Sequence, residues 1–363
     1  MEETNSQALL EIDLDIIAEN YNFLKTLLDE KTRLAAVVKA DSYGLGSKII
    51  AKKLYGCGCR QFYVSYFNEA IQLEKMNDAE IYVLHGFAGT TPDEFLDTNI
   101  VPVLNSIEDI KTWQTIAGKM NKKLPAIIHI DTGMNRLGVD VKDIPDLVKM
   151  EIDKSFDIKY IMSHLACAEE KHNPKNKEQL EKFKFAVKAL GIKAPLSFAN
   201  SSGIFLGKDY HFNQVRPGAA LYGINPEPDR YNPMKAVVSL KAKILQTRAV
   251  EKGETVGYGC SYVVQKPSKL ATIAAGYADG FFRVLGEHGL VYFKGVKARI
   301  VGKVSMDAIV VNVTAVKPEP KVGDWVEIIG ENQTVDDVAY NANTIGYEVF
   351  TALGSRYKRV YKG

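Results

Sequence analysis

The sequence is poor in the features that mark whole classes of protein. No run approaches the roughly 18 apolar residues that a membrane span needs, so nothing in it reads as a membrane partner. Cysteine is scarce: Cys57, Cys59, Cys167 and Cys260 are too few and too irregularly spaced for a disulfide framework. Cys57-Gly58-Cys59 has no second pair to complete a tetrahedral metal site, so no metal is expected. Charge of one sign is also missing. With 46 basic against 44 acidic residues the net charge is +2, which leaves no polyelectrolyte signature for nucleic acid or an anionic membrane. An anionic ligand must therefore be held by a local site. The opening stretch MEETNSQALLEIDLDIIAEN carries acids where a secretory signal carries bases, and the expectation is a soluble, cytoplasmic chain. Internal repeats, low-complexity stretches and Pro/Ser-rich linkers are absent as well.

A length of 363 residues predicts two domains. Up to about residue 235, short apolar runs alternate with amphipathic stretches. The strand candidates are Leu34–Val38, Gln61–Ser65, Ile81–Leu84, Val101–Leu104, Ala126–Ile130, Ile158–Ser163, Leu196–Ala199 and Phe212–Val215. Helical patterns lie between them at Asp13–Leu28, Phe67–Met76, Ser106–Met120, Lys142–Ile152 and Asn176–Leu190. This alternation predicts an α/β fold with a parallel (β/α)8 TIM barrel over residues 11–235. A doubly wound open sheet is the alternative, because periodicity does not show closure. After Met234 the pattern becomes mostly strand-like: Ala236–Val250, Glu254–Tyr258, Leu270–Ala275, Leu290–Val304, Ala308–Val313 and Trp325–Ile329. Helix is expected only near Val335–Asn341 and Tyr347–Gly354. Residues 236–363 thus read as a β-rich C-terminal domain, joined by a strand from the first residues, Ala8–Ile12.

Three stretches carry candidate chemistry. Ala35–Gly46 (AAVVKADSYGLG) is a buried strand ending on Lys39 and turning through Tyr43 and two glycines toward a helix. A desolvated lysine at the carboxyl end of a barrel strand is a candidate nucleophile toward carbonyls, although an exposed strand-end lysine is the common case. The seventh strand runs into Asn200-Ser201-Ser202-Gly203, and the eighth into Val215–Gly223 (VRPGAALYG). The loops after strands seven and eight are where barrels build phosphate sites from hydroxyls and backbone N–H groups. Locally the same residues serve equally as a helix cap and a turn. Their conjunction with Lys39 favours a phosphorylated carbonyl cofactor.

These motifs, with Asp131–Gly138 (DTGMNRLG), Ser163–Leu165 (SHL), Gly276–Arg283 (GYADGFFR) and Gly302–Asp307 (GKVSMD), resemble the alanine racemase family in order and spacing over nearly the whole chain. The resemblance implies pyridoxal 5'-phosphate as cofactor and a small amino acid as substrate. It implies that Lys39 forms the Schiff base and serves as acid/base on one face of the α-carbon, with Tyr277 on the other. In that family the tyrosine comes from the partner subunit of a head-to-tail homodimer. His164 then lies against the tyrosine with Arg216 behind it, and Arg216 also faces the pyridine nitrogen. Arg136 and the backbone of Met306 fall at substrate-carboxylate positions. Tyr43, Asn200, Ser201, Gly218 and Ala219 fall in the motifs that hold the cofactor, most of them on its phosphate. The implied activity is interconversion of L- and D-alanine by two-base proton transfer, supplying D-amino acids for cell-wall precursors.

The chain departs from the family pattern in places. His129 stands where many members carry a carbamylated lysine, so another group, such as an anion, must neutralise Arg136. Ser355 stands where a tyrosine usually walls the pocket, which implies room for serine as a substrate unless Tyr357 fills the gap. Leu45 and Ser305 replace a common histidine and cysteine and read as packing changes. Two other readings share the architecture or the cofactor. A barrel-type decarboxylase of basic amino acids needs an acidic pocket, and a non-enzymatic cofactor-binding barrel lacks the second domain. Some relatives fuse this portion behind membrane spans, none of which this sequence contains.

Overall fold

The structure, a computed structural model, describes residues 6–73, 76 and 78–363. Two compact units emerge: Ile17–Met234, and a second that joins the residues up to Ile16 to Lys235–Gly363.

In the first unit the parallel strands Gln61–Val64, Glu80–Val83, Ile100–Leu104, Leu124–Asp131, Phe156–Met162, Leu196–Ser197 and Gln214–Val215 lie side by side in chain order. The stretch 33–37 closes the ring. Its first half, Arg33–Leu34, pairs with Gln214–Val215, and its second half, Ala36–Val37, pairs with Gln61–Val64. Across the interruption Ala35 N–H donates to Val215 O at 3.0 Å and Val37 N–H to Pro217 O at 2.9 Å. The barrel forms, not the open sheet. The strands are apolar without alternation because both faces are covered, and every residue of Ile100–Leu104 is buried. Outside, the helix Ile107–Met120 starts where Ser106 Oγ accepts from Asp109 N–H. Pro174–Leu190 starts at Asn173 with proline in its first turn.

Two expected helices differ. Lys142–Ile152 is broken into a 3-10 turn, Val141–Asp143, and two short helices, Ile144–Lys149 and Ile152–Ser155. Pro145 fits only a first turn, and Glu151, with φ 47°, separates the two helices. The other, Phe67–Met76, is helical over Phe67–Ile71, and its positions 74 and 75 lie outside the described residues.

The barrel interior is polar along one line. Arg216 Nη1 donates to Ser197 Oγ at 2.6 Å, and Ser197 Oγ donates to Gln214 Oε1 at 2.7 Å. Tyr63 OH donates to the same Oε1 at 2.6 Å. Gln214 Nε2 donates to Gln61 Oε1 at 2.7 Å, and Gln61 Nε2 to Glu80 Oε2 at 2.7 Å. In a low-dielectric interior such a chain is stable only when every member is paired.

The second unit is a mostly antiparallel sheet. Val238–Val250 pairs with Trp325–Ile329 over one end and with Ser268–Ile273 over the other, shifting register between Ile244 and Gln246. Ile309–Asn312, Val296–Ile300 and Leu290–Phe293 complete the ring. The expected strand Leu290–Val304 is instead a hairpin, reversed at Lys294 and Gly295 with φ 46° and 82°. Ala8–Asp13 pairs antiparallel with Val238–Val250, as expected for Ala8–Ile12, and parallel with Lys358–Lys362. That last strand has no apolar signature because it is a charged edge. No helix among the described residues is long and apolar enough to cross a membrane.

Replacing Gln214 by leucine strips partners from Tyr63, Ser197 and Gln61 together. Urea unfolding of the cofactor-free protein is expected to lose about 3 kcal/mol, with each orphaned polar group costing about 1–3 kcal/mol. A loss below about 0.5 kcal/mol would show the chain to be replaceable by apolar packing.

Candidate active site

The strand that closes the barrel does not run into an ordinary helix. Ala40, Asp41, Ser42 and Tyr43 all have φ between 50° and 59°, so Lys39–Gly44 is a left-handed turn, followed by a right-handed helix at Ser47–Gly56. For L residues this costs about 1–2 kcal/mol each, or about 4–8 kcal/mol for the turn. Specific bonds hold it. Ser42 N–H donates to Val38 O at 2.9 Å, Gly46 N–H to Asp41 O at 2.8 Å, and Ser47 N–H to Asp41 Oδ1 at 2.7 Å. Glu69 ties the turn to the next strand: its Oε1 accepts Ala40 N–H at 2.8 Å and its Oε2 accepts Ser65 N–H at 2.7 Å. Strain of this kind persists where surroundings over-determine the backbone. Its result is to present Lys39 at the barrel mouth. Burial lowers the affinity of the Lys39 amine for a proton, the Arg136 charge adds to this, and Glu69 opposes it.

The next strand ends add cations and neutral histidines. Arg216 is buried, with Nη2 donating to Ser163 O at 2.7 Å and approaching His164 Nδ1 at 3.4 Å. A guanidinium only donates, so Nδ1 accepts and the His164 proton sits on Nε2. His129 is buried and its Nδ1 lies 2.8 Å from Asn105 Oδ1. The Asn105 amide donates to Leu84 O and Val103 O, so His129 Nδ1 carries the proton. His129 is thus held neutral, its pKa lowered to about 3 by burial and then by Arg216 and Arg136. His164 is pushed well below its usual range by burial first and Arg216 next. His85 is lowered by burial and then by Lys39 and Arg136. Arg136 itself is exposed and has no ion pair or hydrogen bond among the described residues.

The loops after the last two strands form the third part. Asn200 caps the short helix Ser201–Ile204, its Oδ1 accepting Gly203 N–H at 2.9 Å. Ser201 Oγ accepts Gly218 N–H at 3.0 Å and Ala220 N–H at 3.2 Å, so a hydroxyl and a turn of N–H groups around Ala219 converge. The Tyr43 hydroxyl closes this cup: a Cβ on Gly218 would sit 2.4 Å from it, so any larger residue there would displace Tyr43. The Tyr43 ring packs on Tyr222 at 4.9 Å. Hydroxyls and N–H groups beside the uncompensated charges of Arg136 and Arg216 suit an anion, and a desolvated amine suits a carbonyl. The donor set therefore fits a phosphorylated aldehyde.

The remaining expected residues lie in the second unit, where three motifs meet. Tyr277 opens the 3-10 turn Tyr277–Asp279 and is 44% exposed. Its N–H donates to Ser305 O at 3.0 Å, and Ala278 N–H donates to Met306 O at 3.0 Å. The Met306 carbonyl is thus engaged by the turn. Ser355 is exposed next to Arg356, which forks onto Asp279. Tyr357 is 3% exposed and lines a small cavity with Leu240, Phe281, Leu285 and Ile329 of its own unit. Sequence reasoning missed Glu69, His85, Asp279 and Arg356. Only Asp279 and Arg356 carried a signal, by lying in or beside the GYADG and C-terminal motifs.

The family description "Alanine racemase, N-terminal domain" matches residues 12–226 and "Alanine racemase, C-terminal domain" matches residues 237–361. The chain is 43% identical to "Alanine racemase" of Brucella canis, over 97% of this chain and 93% of that one. It is 44% identical to "Alanine racemase, catabolic" of Mesorhizobium japonicum, over 99% and 95%. Among solved structures, alanine racemase from Bartonella henselae with covalently bound pyridoxal phosphate superposes with a TM-score of 0.95 at 45% identity, covering 98% of this chain and all of that one.

The neutral histidines make stability depend on pH. Between about 6.5 and 3 the unfolded chain binds a proton at His129 that the native state refuses, so stability rises with pH through this window and is lost as pH falls. Thermal melts of the cofactor-free protein between about pH 4 and pH 8 should show this slope, and His129→Gln should flatten it. An unchanged slope in that variant would show that His129 does not carry the effect.

Proposed function

The chain belongs to the alanine racemase family, and from that membership and the geometry above we propose that it is a pyridoxal-phosphate-dependent racemase interconverting L- and D-alanine. The observation that carries this reading is a desolvated Lys39 at one barrel mouth with the donor-only Arg216 and the Ser201–Ala219 cup. When bound, pyridoxal phosphate supplies an electron sink that makes the α-hydrogen of an attached amino acid acidic.

The chain's own residues supply the rest. Ser201, Gly218, Ala219 and Tyr43 would hold the phosphate, with Asn200 fixing the turn that presents Ser201. Arg216 would hold the cofactor's ring nitrogen and, since a guanidinium offers only N–H groups, would leave it unprotonated. Arg136 and the N–H of the partner subunit's Met306, which packs on the turn that bears Tyr277, would receive the substrate carboxylate. With His129 neutral and no carboxylate on Arg136 among the described residues, that charge is available to the substrate or to a bound anion. Lys39 and the partner subunit's Tyr277 then work on opposite faces of the α-carbon in a head-to-tail homodimer. One removes a proton, the other returns one, and the reverse turnover exchanges their roles. His164, protonated on Nε2, donates to the tyrosine oxygen when that oxygen is charged.

Enantiomers have equal free energies, so the same site runs either way according to which is in excess. The "catabolic" in the Mesorhizobium name therefore needs no different chemistry from supply of D-alanine to cell-wall precursors. Ser355 in place of a wall tyrosine extends the reading to serine.

A chiral assay of the cofactor-loaded protein tests this with alanine, serine and lysine. Alanine should racemise, L-serine should convert measurably, and Lys39→Ala or Tyr277→Phe should lose about 100-fold or more. Release of carbon dioxide, or no racemisation of any substrate, would overturn the reading; undetectable serine turnover would remove the serine extension alone.

A further inference from the structure

The proposed reading leaves unused a buried carboxylate two residues from Tyr277. Asp279 has only 7% of its side chain exposed, and Arg356 grips it side-on, Nε to Oδ1 at 2.6 Å and Nη2 to Oδ2 at 2.8 Å. Gly276 N–H donates to the same Oδ2 at 2.9 Å. The third guanidinium nitrogen, Nη1, donates to Asp307 Oδ1 at 2.6 Å. Gly354 N–H in turn donates to Asp279 O at 3.1 Å. One guanidinium thus joins three segments: the turn that bears Tyr277, the Ser305–Asp307 loop, and the chain from Gly354 to Arg356.

The segments are packed backbone against backbone. A Cβ on Gly276 would fall 2.2 Å from Met306 O, and one on Gly280 would fall 2.1 Å from Ala352 O. Within its own chain the Tyr277 side chain makes no hydrogen bond among the described residues, so what its own chain contributes to the direction of the ring comes through the backbone of the turn. Whatever fixes the turn therefore aims the phenol.

We propose that Arg356 is a positioning residue: by clamping Asp279 and Asp307 it holds the turn that aims Tyr277, and so sets the geometry of one of the two proton transfers. This rests on the reading of Tyr277 as a proton-transfer group. Arg356 acts through the backbone and touches no reacting atom. Exposed ion pairs contribute little, but here one partner is buried and the fork is bidentate, so truncating the arginine strands a charge. A lysine restores the charge without the fork.

The experiment uses the cofactor-loaded protein as Arg356→Ala, Arg356→Lys and Tyr277→Phe. Arg356→Ala should lose kcat by up to about 100-fold, as misplacement of a reacting group does, with KM changed less than about three-fold. Arg356→Lys should fall between this and the parent. With α-deuterated alanine the isotope effect should rise for the enantiomer whose proton Tyr277 removes, and not for the other, because only one transfer has lost its geometry. Independently of turnover, 3-fluorotyrosine at position 277 should give one narrow fluorine resonance in the parent and a broadened or split one in Arg356→Ala. The proposal is overturned if Arg356→Ala and Arg356→Lys keep kcat and both isotope effects within about two-fold of the parent, or if the isotope effects change equally for both enantiomers. Should Tyr277→Phe itself keep full racemisation, the role of Tyr277 falls instead, and the fluorine signal still decides whether Arg356 holds the turn.

Discussion

The barrel mouth depends on one piece of backbone that must do two incompatible things in succession. Residues 33–37 close the ring by pairing on both sides, and the chain then reverses its hand through four consecutive left-handed residues directly after Lys39. A relaxed right-handed exit would place the lysine and Tyr43 elsewhere. The left-handed one is uphill, and it stands because Val38, Asp41 and Glu69 satisfy the donors it exposes. Closure of the barrel therefore also supports the strain, since Glu69 is itself anchored to the neighbouring strand through Ser65.

The electrostatics follow from that placement. The chain as a whole is nearly neutral, yet Lys39, Arg136 and Arg216 are brought together, and the histidines around them are kept uncharged by burial and by those same cations. Glu69 lies within reach of Lys39, but its oxygens already accept backbone N–H groups. The site thus carries an excess of positive charge that suits an anionic ligand. The polar line Arg216–Ser197–Gln214–Gln61–Glu80 lets a buried guanidinium keep its bonds without a carboxylate at its side.

The second unit solves a different problem. Within its own chain Tyr277 is half exposed, and the turn that carries it is pinned through backbone and a buried carboxylate. The glycines of GYADG permit the close approach, and Arg356 ties the result to the C-terminal segment. Tyr357 meanwhile serves the packing of its own unit.

Much of this was legible in residue order. Eight apolar runs spaced by amphipathic stretches determine a parallel α/β sheet, because a parallel strand buried on both faces needs a covering helix after it, and its closure into a barrel was decided only by the pairing of residues 33–37 on both sides. Ala8–Ile12 announced its strand by being apolar, whereas Lys358–Lys362 did not, because an edge strand is selected for charge. Lys39 and the loops that carry Ser201 and Arg216 stood out by their place at strand ends, whereas Tyr277 and the role of Arg216 came only from the family resemblance of their motifs. The left-handed turn did not stand out, since Ala, Ser and Tyr disfavour that region and Asp alone tolerates it, and besides local bonds from Val38 and Asp41 it needs Glu69, which the fold brings from 29 residues away. The neutrality of His129 and the grip of Arg356 on Asp279 are likewise tertiary facts: each depends on a group from 24 to 77 residues away in sequence, and burial exists only once the fold has formed.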